Sequence, residues 1–262
     1  MKIYLDSSRP KFPKIFWVLL CVIVLLVVIK QLPASVLAGM VAKQSACRVT
    51  LYEATGTIWN GSAALGFAEP NLNGEGCRDP SAISERFSWQ TQCSVMQGQC
   101  LSHLHFVGLD KPLAISLGLG QIQVASGEIT MPASILEAFG SPWNTLRPRG
   151  QLVAHWSDIK SGTETAGNIR INVSNLTSPI SAVKPLGSYE IKTSLSQSGT
   201  SFVIDTVSGP LLLSGKGEAN SQLGTGFRFA GGASAAPEAE DSLIGLLSLL
   251  GRKDGDIYRM QY

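Results

Sequence analysis

His103-Leu104-His105 is the place where this sequence sets two strong metal ligands or general bases on one local face. Residues two apart on a strand point the same way, and two imidazoles so placed can ligate zinc or copper. A stable site needs further ligands, yet no carboxylate or thiolate stands near the pair at ligand spacing, and His155 is far along the chain. The pair is therefore read as ordinary strand histidines, with no metal and no cofactor expected. The 19 acidic residues form no recognisable acid-base arrangement. The nucleophile elbow, P-loop, dinucleotide fingerprint, H-E-x-x-H and EF-hand loop are all missing. No catalytic residue is assigned and no enzyme is expected.

Cysteine offers the other reactive chemistry. Cys21 lies in an apolar run, whereas Cys47, Cys77, Cys93 and Cys100 follow it. Four cysteines allow three pairings. Closure of local loops favours Cys93 with Cys100 and Cys47 with Cys77, worth about 2.5 and about 3.5 kcal/mol by chain entropy. Four free buried thiols are the alternative, and no C-x-x-C spacing suggests zinc.

What must position these residues begins with Ile15 to Ile29, an uncharged apolar run bounded by Lys14 and Lys30. As a helix it is short for a hydrocarbon core about 30 Å thick, but lysine stems can reach the headgroups and extend it toward Leu32. Lys2, Arg9, Lys11 and Lys14 against Asp6 alone place the N-terminus on the cytoplasmic side. The reading is a cytoplasmic leader at 1–14, a transmembrane helix at 15–32, a kinked helical linker at 33–47 and a periplasmic β-rich domain at 48–262. A cleaved signal peptide ending near Val36-Leu37-Ala38 competes with a retained anchor. Residues 1–14 carry +3 and the rest of the chain sums to −1, so no basic surface for nucleic acid is expected.

Pro33 opens a segment with Val36, Leu37, Met40 and Val41 at helical spacing, either a continuation of the anchor along the membrane boundary or a linker helix packed on the domain. Beyond it the chain turns to short alternating runs broken by Gly, Ser, Pro and Asn. In Asn168 to Ser174, Ile169, Ile171 and Val173 oppose Asn168, Arg170 and Asn172, the mark of a sheet with one wet face. Ten or so strands are expected, too closely spaced for crossover helices. The fold class is mainly β, an antiparallel curved sheet or sandwich behind a single N-terminal transmembrane helix.

Two short helices interrupt it, Pro132 to Phe139 and Pro237 to Leu250. The second carries Pro237, Glu238, Glu240 and Asp241 at its start and Gly251 after its end, and is read as widely buried. Gly231 to Ala236 reads as a flexible small-residue linker, and Asp254 to Tyr262 as a loose tail or last edge strand.

Gly56-Thr57-Ile58-Trp59-Asn60-Gly61 brackets an aromatic residue with glycines. Trp59 is expected to fill core volume, with Asn60-Gly61 as a tight turn. Gly209-Pro210-Leu211-Leu212-Leu213-Ser214-Gly215 has the same form, a strand between breakers. With the basic leader, the apolar run, Leu32-Pro33-Ala34-Ser35, Pro142-Trp143-Asn144-Thr145-Leu146-Arg147-Pro148-Arg149-Gly150, Trp156 and Leu249-Leu250-Gly251-Arg252, these pieces resemble, in order, the type II secretion system protein N family of Gram-negative bacteria. The resemblance covers nearly the whole chain. It implies a bitopic inner-membrane accessory protein with other type II secretion subunits as partners, inner-membrane lipid around its anchor, and no catalytic residues. The four exported cysteines depart from the family pattern.

Two functions follow. One is an interaction protein whose strand edges or C-terminal helix bind secretion subunits. The other is a lipid-handling or envelope-maintenance module, as in envelope proteins similar to the AsmA group. They differ in whether the apolar sheet face is closed by a second layer or open as a groove.

Overall fold

The computed structural model describes residues 14–45, 47, 49–67, 77, 82–94, 96–139, 143–220 and 226–261. The leader at 1–13, Arg48 and Pro142 lie outside them. Helix α1 (Lys14–Lys30) has 17 residues, and α2 (Ala34–Gln44) follows. Among the described residues no helix is long and apolar enough to cross a membrane. Pro33 separates the two, its φ of −71° and ψ of 152° breaking the helical run. Pro33 instead forms an antiparallel bridge with Thr57, and the Ile58 N–H donates to the Leu32 oxygen at 3.0 Å. Ala34 is buried and Leu37 packs beside it, while Met40 is exposed, so α2 lies on the domain as a packed linker helix.

Among the described residues sixteen strands form one sheet, more than the ten or so that the alternation suggested. In chain order they begin with β1 (Thr50–Gly56), β2 (Asn60–Phe67), β3 (Ala82–Ser94), β4 (Gln99–His105), β5 (Leu113–Gly118), β6 (Gln121–Val124) and β7 (Gly127–Pro132). A 3-10 turn, Ala133–Phe139, and the one-turn α3 (Trp143–Leu146) come next. The chain continues with β8 (Arg149–Trp156), β9 (Ile159–Gly162), β10 (Ala166–Thr177), β11 (Gly187–Ser196), β12 (Gly199–Ser208), β13 (Leu211–Asn220) and β14 (Gly226–Ala235). It then passes through α4 (Glu240–Leu250) to β15 (Arg252–Asp254) and β16 (Ile257–Gln261). The order is β1-β2-β3-β4-β5-β6-β9-β10-β11-β12-β13-β14-β16-β15, and the sheet forks at β10, where β8, carrying β7, pairs beside β9.

Directly opposed residues of an antiparallel pair share a face. The pairs Ala63↔Phe87, Trp89↔Leu104↔Leu113, Ile115↔Val124↔Ile159, Ile171↔Ile191↔Ile204 and Leu213↔Ala233↔Tyr258 therefore trace one apolar face from end to end. Gly167 carries it across the β9–β10 step, since a Cβ there would stand 3.0 Å from Ile159. The opposite face is wet. Helices and turns cover the apolar face in places. Ala34 of α2 closes over Phe87 and Trp89, Leu136 of the 3-10 turn packs near Leu152 and Val173, and Leu243, Leu246 and Leu247 of α4 pack on Leu211, Ala233 and Tyr258.

This packing corrects two readings of the C-terminal third, the small-residue linker and the wide burial of the last helix, and favours strand over loose tail at the end. Gly231 to Ala235 is strand rather than linker, and its residues are small because large side chains lie flat on them. A Cβ on Gly231 would meet the Phe229 ring at 2.8 Å, and one on Gly217 the Phe202 ring at 2.2 Å. The last residues form a strand pair, with Tyr258 and Met260 buried against β14. Helix α4 is two-sided: its Leu243 stripe is buried, while Ile244 and Leu249 face outward beside Gly245.

Candidate functional site

His103 and His105 share one face of β4, opposite Gln90 and Ser88, and His155 lies apart on β8. His103 sits opposite Gln90 and Ala114 on the wet face, behind the half-buried Leu104. His155 pairs instead with Glu128 at 3.1 Å. Among the described residues no group of three or more His, Cys, Asp or Glu could hold a metal ion. The charge cluster with the clearest electrostatics is Glu190, flanked by Lys192 at 2.9 Å and Arg170 at 3.2 Å. The Lys192 hydrogen bond, with the charges of Lys192 and Arg170, holds its carboxyl below the usual range. All three are on the wet face, a structural ion cluster in water.

The cysteines form Cys47–Cys77, with Cα atoms 5.4 Å apart, and Cys93–Cys100, which bridges directly opposed positions of β3 and β4. Cys21 is free. The first disulfide ties the chain just after α2 to Cys77.

The Gly56 to Gly61 motif does other work than filling the core. Trp59 is only half-buried, and its indole N–H donates to the Ile29 oxygen at 2.8 Å. Trp89 is the core tryptophan, 3% exposed, its own N–H donating to the Ile58 oxygen at 3.1 Å. The turn also falls earlier than Asn60-Gly61. The Thr57 hydroxyl accepts from the Trp59 and Asn60 N–H groups, and Asn60 already opens β2. Gly56 is left-handed, with φ of 87°, and Gly61 makes room, since a Cβ would stand 2.5 Å from the Trp89 ring. This end of the sheet is a collar around the α1–α2 junction.

The remaining motif pieces meet at the other end. Trp143 packs with Leu146, Leu186 and Leu211 in the cluster under α4. Gly150 holds φ of 139° beside the Ser174 oxygen, and Gly209 holds φ of 114° against Gly187. The Pro210 carbonyl accepts the Ala236 N–H at 2.8 Å, which fastens β13 to the entry of α4. Tyr189, below them, donates to the Leu211 oxygen at 3.0 Å, and burial pushes its phenol well up.

Between α3 and α4 the apolar face opens into a cavity of about 430 Å³. Leu176, Ile191, Phe202, Ile204, Leu213 and Phe229 form its floor, with Trp143, Pro148, Leu246 and Leu250 at its sides. Its few polar lining groups include Thr177 and Ser178, and the Ser178 hydroxyl already donates to the Leu146 oxygen. The alternation seen in Asn168 to Ser174 stops short of Leu176, so the sequence did not join these residues into one face. Their gap is set by how far α3 and α4 stand apart, which no local pattern encodes.

A family model described as type II secretion system protein N matches residues 47–260. No curated protein and no solved structure matches the chain. The match takes in the disulfide-tied start of the sheet, both motif-bearing ends and all but the last residue of β16, so the chain belongs to the type II secretion system protein N family.

Proposed function

We propose that this protein is an accessory, non-enzymatic component of the type II secretion machine, held on the inner membrane by α1. It supports export of folded periplasmic proteins across the outer membrane by binding other secretion subunits. The family match over residues 47–260 carries the secretion reading. The anchor reading rests on α1 itself, whose apolar side chains are exposed all round, Ile15 at 68% and Leu25 at 58%. A helix apolar on every side belongs in lipid or in a protein core. Its 17 residues span about 26 Å, and Lys14 and Lys30 can carry their charges to the headgroups on either side.

In this arrangement residues 1–14 are cytoplasmic, 15–32 cross, 33–47 link and 48–262 form the periplasmic domain. The two disulfides suit an oxidising compartment. Partners have two kinds of surface available: the β1 and β15 edges of the sheet, and the outward Ile244 and Leu249 of α4. Photo-crosslinkers at Tyr52 and Leu249 in cells carrying the secretion system, with protease treatment of spheroplasts, test both parts. Adducts with secretion subunits and digestion of the sheet from outside are expected. Protection from protease in intact spheroplasts, or the absence of such adducts, would overturn the reading.

A further inference from the structure

The gap between α3 and α4 holds about 430 Å³ and is bounded almost wholly by hydrocarbon. It falls within the range of about 300–1,000 Å³ typical of ligand sites. We propose that this cavity binds the acyl chain of a lipid.

Its shape argues for a chain. The lining residues that belong to the sheet lie on six neighbouring strands, β10 to β14 and β16. At about 4.8 Å per strand step, that is roughly 24 Å of sheet. A floor drawn from that width of sheet suits a hydrocarbon tail better than a compact ring system.

Its chemistry argues against a peptide. A buried polypeptide brings N–H and C=O groups that need partners. The walls are almost wholly hydrocarbon, and the Ser178 hydroxyl is committed to Leu146. A hydrocarbon tail makes no such demand.

The apolar face also supplies a path. Leu117 and Ile122, opposed on β5 and β6, lie on the same apolar face between the α2 end and the cavity and are 39% and 46% exposed. Between the end that α2 closes and the cavity, a tail that had left the bilayer would meet these apolar side chains. This path rests on the anchor reading, whereas the cavity does not.

The test places a diazirine-bearing amino acid at Ile204, on the cavity floor, and at Val203, its neighbour on the wet face, in the full chain expressed in its own envelope. After irradiation the protein is purified and weighed by mass spectrometry. Lipid adducts at Ile204 are expected to exceed those at Val203 by about tenfold, which corresponds to an occupancy difference of about 1.4 kcal/mol. The adduct mass separates a free fatty acid from a phospholipid. Equal labelling at the two positions, no lipid adduct at Ile204, or a protein adduct there would overturn the proposal.

A binding arm uses the purified full chain and cis-parinaric acid, whose fluorescence rises out of water. Ile191→Asn is expected to weaken binding about tenfold and Val203→Asn to leave it unchanged, with circular dichroism confirming that both fold. Equal affinity of the two folded variants would count against the cavity; if Ile191→Asn does not fold, the Ile204 adduct decides. Cargo secretion by a deletion strain is scored separately. An empty cavity in a strain that still needs the protein for secretion removes this proposal and leaves the secretion reading standing.

Discussion

Trp59 donates its indole N–H to the Ile29 carbonyl across 2.8 Å, joining the last turn of α1 to the first turn of the sheet. The Ile58 N–H to the Leu32 oxygen and the Pro33↔Thr57 bridge close the same joint from the backbone. The orientation of the sheet on α1 is thus set by a few hydrogen bonds at the collar, and the motif that looked like a core element is a clamp.

Trp59→Phe removes the N–H and keeps most of the ring. The expected cost is about 1 kcal/mol, that of one hydrogen bond. Spin labels at Val28 and Thr91 should report a broader distance distribution in the variant with the sheet's melting curve little changed. An unchanged distribution would mean that the backbone bonds alone hold the joint.

Glycines under aromatic rings make a second case. Gly217→Ala would push a methyl into the Phe202 ring, and Gly61→Ala one into Trp89. Each should cost roughly 1–3 kcal/mol, the usual price of overpacking. Gly245→Ala meets nothing within 4 Å on α4 and should stabilise by about 0.5–1 kcal/mol through helix propensity. Thermal melts of the three variants side by side check the ordering.

The disulfides should differ in weight. Serine at Cys93 and Cys100 opens a loop of separation 7, and serine at Cys47 and Cys77 one of separation 30. Chain entropy gives losses of about 2.5 and about 3.5 kcal/mol, read from denaturant midpoints. Cys93 and Cys100 already face each other in the ladder, so their strand pairing should survive, whereas loss of Cys47–Cys77 should raise protease sensitivity around Cys77.

Tyr189 gives the pH dependence a sign. Its buried phenol holds its proton above the usual value, so the folded state binds a proton that the unfolded chain releases. This contribution is constant below about pH 10 and is lost as pH rises beyond it. Tyr189→Phe should cost about 1 kcal/mol at neutral pH, for the hydrogen bond to Leu211, and should flatten the alkaline decline. Urea titrations at neutral pH and at about pH 11 separate the two effects.

Much of the sheet was legible because Ile169, Ile171 and Val173 alternate with polar residues, and burial of one face forces that period. The choice between Trp59 and Trp89 as core residue was not legible, since both follow strand patterns and only the approach of α1 assigns Trp59 to a backbone oxygen. The same limit hid Gly231 to Ala235 as strand: a run of small residues reads as flexible until the Phe229 ring that requires it is placed above. The join of β6 to β9 and the fork at β10 depend on pairing across the intervening β7 and β8, which short-range pattern does not encode. The cavity lies between elements distant in sequence, so neither its floor nor its opening was readable as one site.

The central claim is a role in secretion, and a clean deletion strain tests it most directly. Exported enzymes are quantified in medium and periplasm, with and without a plasmid copy of the gene. The account predicts cargo retained in the periplasm and released on complementation. Unchanged secretion with altered envelope lipids or detergent resistance would contradict it.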